Sequence, residues 1–218
     1  FSADGNLVFQ SYEDGWQHLY ALEITSGKTT LLTPGDYMVE QIKLNPDRSK
    51  LIFSANAGSE PEDLDRRHIG TIDIASKKLN WQTSGEGIEA YPVWIGEQGK
   101  TAYFSATAQR SHLIAVNDGT NTKLLQESII PDDFPQTSLV VPKQVKFTAP
   151  DGTIVYGQLF EKEGGAAKKP GVIFAHGGPQ RQMLLGWSYM DYYSNTYALN
   201  QYLAELGFVV LSVNYRLG

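Results

Sequence analysis

Cysteine is absent from the 218 residues. That excludes a disulfide framework, a thiolate nucleophile and any Cys-ligated zinc or iron–sulfur centre. No run of 18 apolar residues occurs, which excludes a hydrophobic transmembrane helix, and no membrane partner is expected. The chain opens on Phe1 without a charged segment and apolar stretch behind it, so a secretory leader is expected to be absent or already removed. Positive charge is scarce at the front. Residues 1–142 hold 11 Lys and Arg against 19 Asp and Glu, net −8, whereas residues 143–218 hold 7 against 5, net +2. An acidic front repels a phosphate backbone, which argues against nucleic acid as a partner. Histidine is sparse too. His18, His68 and His112 fall in separate stretches without ligand spacing, so neither a metal nor a cofactor is expected. What is present is enough to fold: 41% hydrophobic against 19% charged residues is a core-forming balance. Nothing in this balance separates a cytoplasmic from a periplasmic home.

The front of the chain repeats. Leu7-Val8-Phe9-Gln10-Ser11, Leu51-Ile52-Phe53-Ser54-Ala55 and Ala102-Tyr103-Phe104-Ser105-Ala106 are strand-like triplets ending in small residues, each preceded by a turn rich in Asp, Asn, Gly or Pro. An alternating strand follows each, at Gln17–Leu22, Ile69–Ile74 and Ser111–Val116, then a polar turn and a third short strand. Period-2 alternation with turns every 8–12 residues predicts antiparallel sheet. Units of roughly 40–50 residues with about four strands are the signature of propeller blades. Two complete units and part of a third are visible, fewer than the four to eight that close a ring. Asn45-Pro46-Asp47-Arg48-Ser49-Lys50-Leu51-Ile52-Phe53-Ser54 resembles the hairpins of TolB-type and dipeptidyl-peptidase propellers.

The back third changes character. A connector with Pro131, Pro135 and Pro142 and no period marks a boundary near residue 140, giving propeller repeats and linker over 1–140 and a second domain over 141–218. Strands at Lys143–Ala149 and Ile154–Phe160 flank Asp151-Gly152, a strong hairpin signal. Gly171-Val172-Ile173-Phe174-Ala175 is an apolar strand. A helix is predicted from about Ser194 to Leu206, capped by Ser194 or Asn195, with Leu199, Tyr202, Leu203 and Leu206 as its buried face and Gly207 ending it. Phe208–Val213 is a second apolar strand. Strand, glycine loop, helix and strand make a βαβ unit, and continuous apolar runs predict a parallel core covered on both faces.

The sharpest chemical signal is His176-Gly177-Gly178-Pro179, directly after the first apolar strand. Two glycines there let backbone N–H groups approach a ligand, and fixed N–H dipoles stabilise the oxyanion of an acyl-transfer intermediate. The bland alternative is a tight strand-to-helix turn. Three segments carry a resemblance: Phe147–Thr153, Lys169–Pro179, and Gln201–Ala204 through Val213-Asn214-Tyr215-Arg216. Together with the preceding blades they resemble the prolyl oligopeptidase family of serine peptidases, in its acylaminoacyl-peptidase and dipeptidyl-peptidase branch. The resemblance implies incomplete TolB-like propeller blades followed by a truncated α/β-hydrolase domain, with a peptide substrate. It also implies Gly177 and Gly178 as oxyanion-hole candidates, a backbone N–H being the donor, and His176 shaping the loop.

The chain departs from the family at the nucleophile. No G-x-S-x-G elbow occurs; Gly186-Trp187-Ser188-Tyr189-Met190 has Met190 where the last glycine belongs, so Ser188 is expected to be a surface or capping residue. His176 precedes any elbow, the wrong order for a triad base. None of the triad is present, and the chain alone is expected to be inactive: a fragment completed by the remainder of a hydrolase domain or by a homo-oligomer. The alternatives are a propeller-type protein-binding module without catalysis and a carboxylesterase-like hydrolase using the same loop. Ser26-Gly27-Lys28-Thr29 mimics a phosphate loop but lacks its first glycine, Leu22 standing there. The acidic stretch from Glu60 to His68 is expected to be a solvated loop. Tyr189, Tyr192, Tyr193 and Tyr197 are expected to serve packing.

Overall fold

The computed structural model describes residues 1–58, 60–96, 99–178 and 180–216. The chain divides into two compact units, one of residues 1–105 with 113–127, the other of residues 106–112 with 128–218. The connector over 128–140 groups with the second unit, as does the short loop 106–112.

The first unit is a series of antiparallel meanders. The first sheet holds β1 (Leu7–Ser11), β2 (His18–Leu22) and β3 (Thr29–Leu31). The second holds β4 (Val39–Leu44), β5 (Lys50–Ala55), β6 (His68–Asp73) and β7 (Leu79–Trp81), and the third holds β8 (Ile88–Ile95), β9 (Lys100–Ala106), β10 (Leu113–Asn117) and β11 (Thr122–Leu124). These are propeller-type blades, too few to close a ring. Strand β5 shows why the repeat reads Leu-Ile-Phe-Ser-Ala. Its odd-numbered Leu51, Phe53 and Ala55 join Leu19, Val39 and Ile72 in one core, while Ile52 turns the other way, to Ile69, Tyr103 and Ala115. Both faces of the strand are therefore covered. Each fully buried side chain of this size contributes about 1.5–3 kcal/mol. Gly70 on β6 is required by that packing, because a Cβ there would sit 2.7 Å from the Phe53 ring and 3.1 Å from Trp81.

Strands β4 and β8 have no counterpart among the strands predicted from the sequence. Each carries a residue in the left-handed region, Gln41 (φ +54°) and Tyr91 (φ +53°), at corresponding places. In β4 the register with β5 shifts between Glu40 and Lys43. Such a bulge breaks the alternation that marks a strand. The two left-handed residues are joined: the Gln41 Oε1 accepts the Tyr91 N–H at 2.7 Å and the Ser54 hydroxyl at 2.8 Å.

The second unit begins with the connector, in which Gln136–Ser138 forms a single 3₁₀ turn. Then come the hairpin β12 (Lys143–Thr148) and β13 (Ile154–Phe160), strand β14 (Gly171–Ala175), helix α1 (Asp191–Glu205) and β15 (Val209–Asn214). Gly152 takes φ +86° in the hairpin turn. The sheet order is β12-β13-β15-β14. Strand β15 runs parallel to β14 and antiparallel to β13. The βαβ unit is present, but the sheet is mixed, and β14 lies at its edge among the described residues with Ile173 74% exposed.

Helix α1 corrects two expectations. It starts at Asp191, and neither Ser194 nor Asn195 caps it; an acidic first-turn residue facing the helix dipole is what marks the start. Its buried face is Tyr193, Tyr197, Asn200, Gln201 and Ala204, whereas Leu199, Tyr202 and Leu206 are exposed. Polar anchoring decides the rotation. The Gln201 amide donates to the Val140 carbonyl at 2.7 Å and accepts the Val140 N–H at 2.8 Å, and the Tyr197 hydroxyl donates to the Ala108 carbonyl at 2.8 Å. Gly207 ends the helix at φ +89°, with the Phe208 N–H reaching back to the Leu203 carbonyl at 3.0 Å. This helix is neither long nor apolar enough to cross a membrane.

Candidate functional site

The loop His176-Gly177-Gly178 leaves the C-terminal end of β14, beside the end of β15. Pro179 lies outside the described residues. Gly177 and Gly178 are exposed, while the His176 side chain is buried. Gly178 takes φ +65°, a conformation natural to glycine. At Gly177 the dihedral is ordinary, and an added Cβ would meet nothing nearer than the Tyr193 hydroxyl at 3.8 Å.

Two tyrosines hold the loop from behind. The Tyr215 hydroxyl donates to the His176 carbonyl at 2.7 Å, and the Tyr193 hydroxyl donates to the Gly177 carbonyl at 2.8 Å. The His176 ring stacks on Tyr215, with centroids 4.3 Å apart and planes 16° apart, and meets Tyr193 edge-on at 6.5 Å. Burial pushes the His176 pKa below its ordinary value and the Arg181 charge adds to this, while the loop carbonyls of Gly177 and Gly178 act in the opposite sense. The imidazole is therefore neutral at pH 7.

The following segment is fixed by Asn214, the last residue of β15. Its Oδ1 accepts the Met183 N–H at 2.7 Å and its Nδ2 donates to the Met183 carbonyl at 3.0 Å. Asn214 and Tyr215 thus tie both the start and the continuation of the glycine loop to a strand bonded on both sides. Sequence reasoning quoted Asn214-Tyr215 without a role and took Tyr193 as packing. The usable signal was an Asn-Tyr pair ending the strand parallel to the glycine-loop strand.

The Ser188 hydroxyl accepts the Met190 N–H at 3.2 Å and is buried, so it is a local cap and not a surface residue. The stretch expected as a solvated loop is largely buried. Asp63, Asp65, Arg66, Arg67 and His68 are all shielded around a 3₁₀ turn at Pro61–Asp65. His68 Nδ1 lies 2.9 Å from Glu89 Oε2 and its Nε2 3.3 Å from Asp63 Oδ1; Arg67 Nε donates to Glu40 at 2.8 Å. Burial alone would lower the His68 pKa, but the Glu89 and Asp63 carboxylates outweigh it and raise it. His18 is a separate pair, 2.7 Å from Asp14. Among the described residues no three His, Asp or Glu side chains group to hold a metal ion.

Residues 1–65 match the family described as the dipeptidyl peptidase IV (DPP IV) N-terminal region. The chain superposes on puromycin hydrolase with a TM-score of 0.75 at 18% identity, covering 99% of this chain and 32% of that one. A puromycin-hydrolyzing peptidase of Mycobacterium tuberculosis gives 0.76 at 17% identity, covering 97% and 32%, and Porphyromonas gingivalis dipeptidyl peptidase 4 gives 0.75 at 16%, covering 98% and 29%. A mutant of puromycin hydrolase is solved in complex with PGG. At these identities the likeness establishes the fold, and the chain spans about a third of the length of the structures it matches.

Proposed function

We propose that these 218 residues are the propeller-to-hydrolase portion of a serine peptidase of the prolyl oligopeptidase family, cleaving oligopeptides or releasing N-terminal residues or dipeptides through an acyl-enzyme. The mixed sheet is then the opening part of an α/β-hydrolase domain, with domains dividing between the propeller repeats and that sheet. The loop after β14 is its oxyanion loop. Exposed Gly177 and Gly178 at the C-terminal end of a sheet strand, with both preceding carbonyls turned away to tyrosines, are the observation that carries this reading. Fixed N–H dipoles of this kind, aimed where charge develops, lower the barrier of acyl transfer. Neither Gly177 nor Gly178 donates its N–H to a backbone acceptor among the described residues.

The nucleophile, acid and base belong to the rest of such a peptidase. Without an activated hydroxyl the 218 residues alone hydrolyse nothing, because an oxyanion loop by itself leaves only weak residual effects. The test pairs two proteins. The longer protein is expected to turn over an aminoacyl- and dipeptidyl-p-nitroanilide panel and to be silenced by a serine-directed phosphonate; residues 1–218 alone are expected to do neither. Turnover of short-chain acyl esters with none of anilides would replace the peptidase by an esterase. Phosphonate-sensitive turnover by residues 1–218 would overturn the assignment of the nucleophile elsewhere.

A further inference from the structure

We propose that Tyr193 and Tyr215 are positioning residues that aim the two N–H groups of the glycine loop; this rests on the oxyanion-loop reading above. In a trans peptide the C=O and N–H of one plane point in opposite directions. The plane joining His176 to Gly177 has its carbonyl fixed by the Tyr215 hydroxyl at 2.7 Å, so the Gly177 N–H points away from Tyr215. The plane joining Gly177 to Gly178 has its carbonyl fixed by the Tyr193 hydroxyl at 2.8 Å, so the Gly178 N–H points away from Tyr193. Two consecutive planes are each held by one phenol, and each phenol sets one donor.

Two glycines in a row give a loop the freedom to flip these planes. That freedom must be removed if the donors are to be preorganised, since misaimed dipoles contribute little. The two phenols come from independent supports. Tyr193 is buried in the first turn of α1, its ring edge-on to His176. Tyr215 follows β15, its ring stacked on His176. His176 sits between them, and its neutral ring fixes the spacing without adding a charge that would compete for an oxyanion. The loop is thereby triangulated from helix, strand and its own side chain.

Removing one hydroxyl leaves the ring and its packing in place, so Tyr193→Phe and Tyr215→Phe test the hydrogen bond alone. A neutral hydrogen bond nets about 1 kcal/mol, hence roughly a five- to tenfold fall in kcat per variant. Each is made in the complete peptidase and assayed on a p-nitroanilide substrate. KM is expected to stay within twofold. A peptide aldehyde, which forms a tetrahedral adduct, is expected to bind each variant five- to tenfold more weakly, and a non-covalent product peptide to bind unchanged. A structural role would weaken both ligands together. Site-specific 3-fluorotyrosine at either position, which retains the hydroxyl, is expected to restore kcat and serves where a Phe variant fails to fold. Unchanged kcat in both Phe variants of an active wild type, a loss confined to KM, or fluorotyrosine behaving like Phe overturns the proposal alone. A wild type that cleaves neither anilides nor short-chain acyl esters removes the oxyanion reading and this inference with it.

Discussion

Replacing Glu89 by Gln tests the buried ion network of the first unit. His68 is fully buried, and its Nδ1 lies 2.9 Å from a Glu89 carboxylate that is itself buried. Asp63 faces the other ring nitrogen at 3.3 Å, and Arg66 Nη1 lies 3.5 Å from that same Asp63 oxygen. Arg67, beside His68 in the chain, is paired with Glu40. Removing one partner of a buried pair leaves the other charge uncompensated, at a cost of about 3 kcal/mol. For a chain of this size that is a fall in Tm of roughly 6–12 °C. The pH dependence gives the mechanism. The folded-state pKa of His68 is raised, so its charged form contributes stability that is fully present below the ordinary histidine pKa and is lost as pH rises through the raised value. The penalty of Glu89→Gln is therefore expected to be largest near pH 5.5 and to shrink by pH 9. Thermal melts by circular dichroism across that range measure it. A Tm change under 2 °C at pH 5.5, or an equal penalty at both ends, would refute the claim that a charged His68–Glu89 pair holds this part of the fold.

His112, in the loop over 106–112, behaves in the opposite sense. Burial, helped by the Arg110 charge, pushes its pKa down to about 4, and Asp191 and the Trp187 carbonyl only partly compensate. Its neutral form contributes at most about 3 kcal/mol, present above pH 6.5 and lost as pH falls toward 4. Trp187 fluorescence is expected to report loosening of the second unit on acidification, and His112→Phe to move that transition to lower pH; an unmoved transition would remove His112 as its cause. Ile173, exposed on strand β14 at a sheet edge that is unpaired among the described residues, should drive self-association of residues 1–218. Covering one such side chain contributes about 1.5–3 kcal/mol, so Ile173→Lys is expected to weaken association at least roughly tenfold by light scattering; equal association in both proteins would place the contact elsewhere.

The repeating hairpins were legible because the second strand of each unit alternates and their turns carry Asp, Asn and Gly. Strands β4 and β8 were not, because the left-handed residues Gln41 and Tyr91 interrupt the period, in β4 at a register shift against β5. The helix was legible, but its rotation was not. An apolar stripe at Leu199, Tyr202 and Leu206 competes with an equally helical stripe at Tyr193, Tyr197, Gln201 and Ala204. The second prevails because Gln201 and Tyr197 satisfy main-chain groups of Val140 and Ala108, which composition does not reveal. The run from Asp63 to His68 was misjudged for a related reason: charge predicts solvation only when the charges are unpaired, and here they pair with Glu40 and Glu89, distant in sequence.

The same reasoning explains why the glycine loop was found while its supports were not. A backbone site announces itself through residues that lack side chains, and two glycines after an apolar strand are visible to any reader of the sequence. Its precision resides in side chains from other elements that touch only carbonyl oxygens. Tyr193, Asn214 and Tyr215 each bond main-chain atoms of the segment over 176–183, and main-chain atoms carry no sequence identity. Of the three, Asn214 ends β15 and Tyr215 follows it, and pairing to a neighbour on each side holds that strand rigid. A loop fastened there inherits that rigidity. Two exposed glycines can therefore keep a fixed geometry that their own backbone freedom would otherwise dissolve.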